Sequence, residues 1–348
     1  MKSIGIDVAK NSFVVAHPSL DGFSIAEFSN NAKGIKKFID TLDSKNSHCV
    51  LEATGNYSSL LVYLLCSVSI PVSLVNPKQI KHFAKMMLSV TKTDKGDAKL
   101  ISMYGEKMNP PHYVMPSSSI QILRQQRTLL RQLKKQLHML KNVEESLNVL
   151  PFRDSKTSKI VLKTVTFLEK QISELQYQMD EITNEEFKSQ IESLTSIKGI
   201  GPAIATSLIM STGGFTLFSS AKKYAKYIGV CPSYQQSGTS LKTKGTINRN
   251  GDSELRSMLY VASWSAIRFN AACKEMYERL KAAGKPSKVA LIAVINKLLR
   301  QAFAIVLKQE KYRDNYVSVS PKNILKSNIR RDSLCLSRPQ KTVKLYPY

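Results

Sequence analysis

The chain has 348 residues, 43% of them apolar, enough for two or three domains with buried cores. Lysine and arginine total 51 against 26 acidic residues, a formal charge of +25 that points to a polyanionic partner and away from a small-molecule enzyme without one. The longest apolar run, roughly Leu60 to Val75, is broken by Ser67, Ser69 and Pro71 and is shorter than the ~20 residues a membrane helix needs, so no membrane partner is expected.

Five widely spaced cysteines (Cys49, Cys66, Cys231, Cys273, Cys335) and an N-terminus without a secretory apolar core favour reduced thiols and a cytoplasmic protein. No Cys or His pair has zinc spacing, so a metal would be held by carboxylates.

Lys2 to Val8, Ser12 to His17 and Phe23 to Phe28 read as strands of a β-meander, with Asp21-Gly22 as a turn. A helix over Ala32 to Leu42, a buried strand over His48 to Leu51, a helix over Tyr57 to Cys66, a strand over Val72 to Val75 and a helix opened by Pro77 follow. This order predicts a mixed α/β sheet with helices on its faces for residues 1–110.

The prolines at 110, 111 and 116 mark a boundary. Residues 118–190 read as a helical region. Leu130, Leu133, Leu137, Leu140 and Leu147 take a/d-type spacing, and Val161, Val165, Leu168, Ile172, Leu175, Met179 and Ile182 repeat 4-3-4-3-4-3. Either an antiparallel hairpin within one chain or a dimerising coiled coil satisfies that seam. Residues 191–308 form a mostly helical domain with a basic, Gly- and Ser-rich stretch, Ser233 to Gly251, that reads as a loop. Residues 309–348 read as a poorly ordered basic tail. Within the helical domain, Tyr224, Tyr227, Tyr260 and Trp264 are expected in the core, as are Met86 and Met87 in the first domain.

Asp7 closes the first strand and Glu52 a later one, and Asp94 and Asp97 stand three apart where a helix should start. If the two strands are parallel neighbours, Asp7 and Glu52 project from the same end of the sheet, where α/β proteins collect functional groups. Four converging carboxylates repel unless a cation holds them, and oxygen-only ligands suit Mg²⁺ or Mn²⁺. On a strongly basic protein, such a site would serve phosphodiester cleavage or transfer. The same residues also serve as turn formers and helix caps, and spacing does not separate the two uses.

The segments Gly5-Ile6-Asp7-Val8-Ala9-Lys10, Glu52-Ala53-Thr54-Gly55-Asn56-Tyr57 and Lys92-Thr93-Asp94-x-x-Asp97-Ala98 resemble the DEDD-type, Piv-like insertion-sequence transposase and recombinase family. So do Gly199-Ile200-Gly201-Pro202, Ser237-Gly238 and Gly245-x-Ile247-Asn248-Arg249-Asn250-Gly251-Asp252-x-x-Leu255-Arg256. Six motifs in order cover residues 1–305. The resemblance implies a RuvC-like, ribonuclease H-type first domain with Asp7, Glu52, Asp94 and Asp97 as metal ligands. It also implies a serine nucleophile in the last domain, a guide (bridge-type) RNA that pairs with donor and target DNA, and a homo-oligomer whose protomers share active sites. The matching serine is Ser237, with Ser240 and Ser233 as fallbacks, and Asn248 and Asn250 around Arg249 depart mildly from the family pattern.

Lys242, Lys244 and Arg249 are the expected phosphate contacts beside that serine. The Gly199–Pro202 turn fits a helix-hairpin-helix-like element with Lys198 at the phosphate. Arg124, Arg127, Arg131, Lys134 and Lys135 form an acid-free helix face expected to meet RNA or DNA backbone, or else to pair with Glu169, Glu174 and Glu181. The expected activity is DNA transposition or recombination. The rivals are a metal-dependent junction nuclease that uses water and a non-catalytic nucleic-acid-binding protein.

Overall fold

The computed structural model describes residues 1–53, 55–88, 93–233, 236–237, 241–242, 246–248 and 251–314, with backbone alone for 236–237 and 241–242. The chain forms two compact units, Met1–Ser117 and the part from Ser118 onward.

The first unit carries a five-stranded sheet of order β3-β2-β1-β4-β5, formed by β1 (Lys2–Val8), β2 (Ser12–Ser19), β3 (Gly22–Ser29), β4 (Ser47–Glu52) and β5 (Val72–Val75). β1–β2 and β2–β3 are antiparallel, as a meander requires, whereas β1–β4 and β4–β5 are parallel. Alternation then sorts the side chains by face. Ile4, Ile6, Cys49 and Leu51 are fully or nearly buried on one face under α1 (Ala32–Ile39) and α2 (Ser59–Ser67). Val50 and Val75 pack on the other face under α3 (Pro77–Met86) and α4 (Asp94–Met108). Met86 and Met87 are exposed rather than core, since they fall at and just past the end of α3.

β1 turns small residues, Ser3 and Gly5, toward α4. A Cβ at Gly5 would lie 2.1 Å from the Ala98 carbonyl oxygen and 2.3 Å from the Ser102 amide. The Ser102 hydroxyl donates to the Ser3 carbonyl at 2.5 Å, and a Cβ at Gly105 would meet Val50 and Ser3. Rising numbers along α4 thus match falling numbers along β1, so helix and strand run antiparallel in close contact.

The second unit opens with two long helices, α5 (Ser118–Asn148) and α6 (Ser155–Glu186), paired within the chain. Val161, Val165, Leu168 and Met179 of the heptad seam are buried. Within the chain the seam packs α6 against α5 as a hairpin. The short connection explains it, and Asp154 caps α6 by accepting from the Thr157 amide at 2.9 Å.

Shorter helices follow: α7 (Lys188–Thr195), α8 (Pro202–Thr212), α9 (Ala221–Ile228), α10 (Ser253–Phe269), α11 (Ala271–Ala282) and α12 (Ser287–Lys308). Their core centres on Leu208, Tyr224, Leu259, Leu298 and Phe303. Tyr224 is in that core as expected, but Tyr227, at the edge of the buried face of α9, and Trp264, on the outward face of α10, are exposed. By length and composition α12 could cross a membrane, at mean hydropathy 1.8, which the search for unbroken apolar runs missed because Lys297 and Arg300 interrupt it. One face of α12, with Leu291, Val294, Ile295 and Leu298, is buried in this core.

The stretch from residue 233 to 251 is not simply a loop. β6 (Pro232–Ser233) pairs antiparallel with β9 (Thr246–Ile247), and β7 (Gln236–Ser237) pairs with β8 (Leu241–Lys242), one ladder nested in the other. The Gly and Ser content that suggested a loop hid strands only two residues long. The start of the supposed tail is likewise docked: the Tyr312 hydroxyl donates to Asn270 Oδ1 at 2.9 Å, and its amide to the Ser196 hydroxyl at 2.8 Å.

Candidate active-site elements

In the first unit, the β1–β4 ladder ends with Ile6 opposite Leu51, so Asp7 and Glu52 are next in register on strands about 4.8 Å apart. Gly5 and Val50 face α4, and a period of two puts Asp7 and Glu52 on that same face. Because α4 runs antiparallel to β1, its first turn, with Asp94 and Asp97, lies at the Asp7 end. Thr93 fixes that turn by accepting from the Gly96 amide at 3.1 Å. Asp7, Glu52 and Asp97 are half-buried and Asp94 is exposed.

All four carboxylates therefore belong to one face and one end of the sheet. Among the described residues, however, no three His, Cys, Asp or Glu groups stand close enough to share a metal ion. The donors are all oxygens, which is the chemistry a hard divalent cation takes.

Asn30 was invisible to sequence reasoning. Its Nδ2 donates to the Ala9 carbonyl at 2.9 Å and to the Tyr57 carbonyl at 3.0 Å. It ties the turn after Asp7 to the turn after Glu52, and partners 21 and 27 residues away leave no local pattern to read.

In the second unit, Ser237 lies in β7, its Cα opposite Leu241. Lys242 is in β8. Ser240, Lys244 and Arg249 lie outside the described residues. The base of the ribbon is braced by its surroundings. The Asn248 amide donates to the Cys231 carbonyl at 2.9 Å, and Asn296 Nδ2 to the Val230 carbonyl at 3.2 Å. Gly251, at φ +106°, passes so close to α9 that a Cβ would lie 2.1 Å from the Tyr227 carbonyl oxygen. Asp252 then caps α10 by accepting from the Leu255 amide at 3.0 Å, and Arg256 reaches the Ile228 carbonyl at 2.9 Å.

The basic face of α5 is partly used within this unit. Arg127 lies 3.3 Å from the Asp252 carboxylate and 3.2 Å from that of Glu254. Arg124 donates to the Met210 carbonyl at 2.9 and 3.1 Å. With Arg131 they line a cavity of about 470 Å³ at the start of α10. Of the carboxylates named as partners, Glu169 pairs with Lys141 at 2.7 Å. Lys134 and Lys135 are exposed.

The Gly199–Pro202 turn joins α7 to α8. Gly199, at φ +106°, packs against Ala266, where a Cβ would come within 2.9 Å. Lys198 binds Asp314 at 2.5 Å, and that contact holds the Asp314 carboxyl below its usual pKa.

The sequence that folds into this α/β sheet with strand-end carboxylates and this helical unit with its short ribbon is matched by two family models. A DEDD transposase model of the IS110 type matches residues 4–147, and the model of the IS116/IS110/IS902 transposase family matches residues 191–278. The pilin gene-inverting proteins of Moraxella bovis and Moraxella lacunata are each 30% identical over 321 residues, which is 89% of this chain and 97% of theirs. An uncharacterized protein of insertion element IS110 from Streptomyces coelicolor is 28% identical over 32% of this chain and 28% of its own. The chain belongs to the IS110 family of DEDD transposases and DNA-inverting proteins.

Proposed function

We propose that this protein breaks and rejoins DNA strands as the recombinase of a mobile element, with Asp7, Glu52, Asp94 and Asp97 holding Mg²⁺ or Mn²⁺ and Ser237 as the nucleophile. The observation that carries this most is the in-register placement of Asp7 and Glu52 on adjacent parallel strands beneath the first turn of α4. When bound, the cation would supply Lewis acidity at the phosphate and neutralise charge that builds up during displacement.

The protein's own residues do the rest. Asp7 and Glu52, fixed by the sheet, and Asp94 and Asp97, on the first turn of α4, would hold the cation. The Ser237 hydroxyl attacks phosphorus, forming a phosphoserine linkage as the 3′ oxygen of the broken strand leaves with a proton. Attack by a 3′ hydroxyl of the exchanging strand then releases the serine. Its hydroxyl needs activation to act at neutral pH. Lys242, Lys244 and Arg249 would offset the phosphate charge. Base pairing to a guide RNA supplies the choice of sequence, which leaves the protein to hold backbone rather than read bases.

A trapping assay tests this. Full-length protein, the element-end RNA, labelled donor and target DNA and Mg²⁺ are incubated, and products are separated under denaturing conditions. A protein–DNA adduct in the parent that is lost in Ser237→Ala, with all cutting lost in Asp7→Asn, is expected. Free cut ends without adduct, unchanged in Ser237→Ala, would assign a water-using junction nuclease instead, and no cutting at all would leave a nucleic-acid-binding protein.

A further inference from the structure

The second unit holds a cavity of about 360 Å³, separate from the serine ribbon, between α11, α12 and the segment 310–314. One face of α12 supplies Lys297, Arg300, Gln301, Ala304 and Ile305, spaced three and four apart, and the returning segment adds Lys311, Tyr312 and Arg313. Among the described residues none of Lys297, Arg300, Lys311 and Arg313 forms an ion pair, and Lys308 adds a fifth basic residue; of the two acids on the wall, Asp314 is held by Lys198 and Glu310 stands against the cations. The cavity thus concentrates positive charge beside a small apolar floor of Ala272, Ala304 and Ile305.

The wall is rigid. Asn270 is fully buried, and its Oδ1 accepts from the Tyr312 hydroxyl and from the Cys273 amide. Its Nδ2 donates to Gln301 at 3.0 Å. The segment is thereby pinned by a side-chain network and not merely laid on the surface. Such a network holds its shape best when every member is satisfied.

We propose that this cavity binds one nucleotide of a single-stranded nucleic acid, the cations taking its phosphate and the apolar floor its base. The inference rests on the reading that the chain works on nucleic acid. Volume, charge and floor agree with it. The cavity sits at the small end of the ~300–1,000 Å³ range of ligand sites, room for one unit of a strand and not for a duplex. Unpaired cations meet phosphate, and an apolar surface meets the face of a base, as in sequence-tolerant strand-binding grooves.

The test is equilibrium binding of the full-length protein to labelled single-stranded RNA, single-stranded DNA and duplex DNA, from about 50 to 200 mM salt. Lys297→Gln with Arg300→Gln removes two charges, and Ala304→Trp fills the cavity without changing charge. Lys288→Gln with Arg268→Gln, exposed elsewhere on the unit, is the control, and thermal melting checks that all variants fold. Both cavity variants should weaken single-strand binding by about tenfold. The charge variant should also flatten the salt slope by about two, and duplex and control binding should stay within about twofold. The strand whose affinity falls, RNA or DNA, names the source of the nucleotide.

Single-strand binding within about twofold of the parent in Ala304→Trp would overturn the site. So would equal losses on duplex, or displacement of the strand by inorganic phosphate alone. Recombination is scored separately, so loss of the Ser237 adduct bears on the proposed function and not on this cavity.

Discussion

At the scale of single residues, two glycines carry more of the architecture than their size suggests. Gly5 lets α4 ride directly on β1, and the backbone it would strike cannot step aside. Gly5→Ala should therefore cost about 3 kcal/mol or more, read as a large fall in the denaturation midpoint of the full chain. Gly251 combines a left-handed φ with a close approach to the Tyr227 carbonyl, so Gly251→Ala should loosen the base of the ribbon as well. His48 gives a pH effect of definite sign. It is nearly buried, and its Nε2 lies 2.8 Å from the Ser73 hydroxyl. That hydroxyl donates to the carbonyls of Pro110 and Pro111, so His48 is the donor to it. Burial, then His112 and the N-terminal amine, hold its pKa below 6.5. As pH falls through 6.5 the unfolded chain gains a proton that the fold refuses, and stability drops until the lowered native pKa is passed. Urea titrations at several pH values should show this loss, and His48→Gln, which keeps an N–H toward Ser73, should flatten it.

At the scale of elements, the contact between α5 and the start of α10 is the least expected feature. A helix face that reads as a nucleic-acid contact also pairs Arg127 with Asp252 and Glu254, the cap and first turn of the helix that follows the serine ribbon. The Arg127 side chain is 17% exposed, so its ion pair is better shielded than a surface one. A double-mutant cycle between Arg127→Ala and Asp252→Asn should give a coupling of about 1 kcal/mol by denaturation. Asp252→Ala should cost a further ~1 kcal/mol through the lost cap. The hairpin behaves as ordinary apolar packing: Leu168→Ala should destabilise the second unit by about 2–4 kcal/mol without changing the sheet unit.

For the whole molecule, a charge of +25 predicts affinity for nucleic acid that falls steeply with salt. Raising salt from about 50 to 200 mM should cut DNA affinity by at least about a hundredfold in a filter-binding assay. Chelating divalent cations should abolish strand cutting while leaving most of this binding, since the cations of the protein and not the carboxylates hold the backbone. Binding lost in parallel with cutting would assign the metal to docking instead.

The sequence alone determined the elements and much of the candidate site. Alternation and apolar runs marked all five strands of the sheet, the heptad spacing marked the seam of α6, and Asp7, Glu52, Asp94 and Asp97 were visible because each sits at the end of an element where local rules place functional or capping groups. These are properties of a few neighbouring residues, which periodicity and turn chemistry record. The tertiary structure decided what no local window holds. It set β1 beside β4, so that Asp7 and Glu52 became neighbours, and reversed α4 across β1 through the gap left by Gly5. It folded α6 back on α5 within the chain. It also joined Asn30 to two distant turns, Arg127 to Asp252, and Tyr312 to Asn270. Each is a contact between residues far apart in the chain, selected by close packing and the need to satisfy buried polar groups once the elements had assembled.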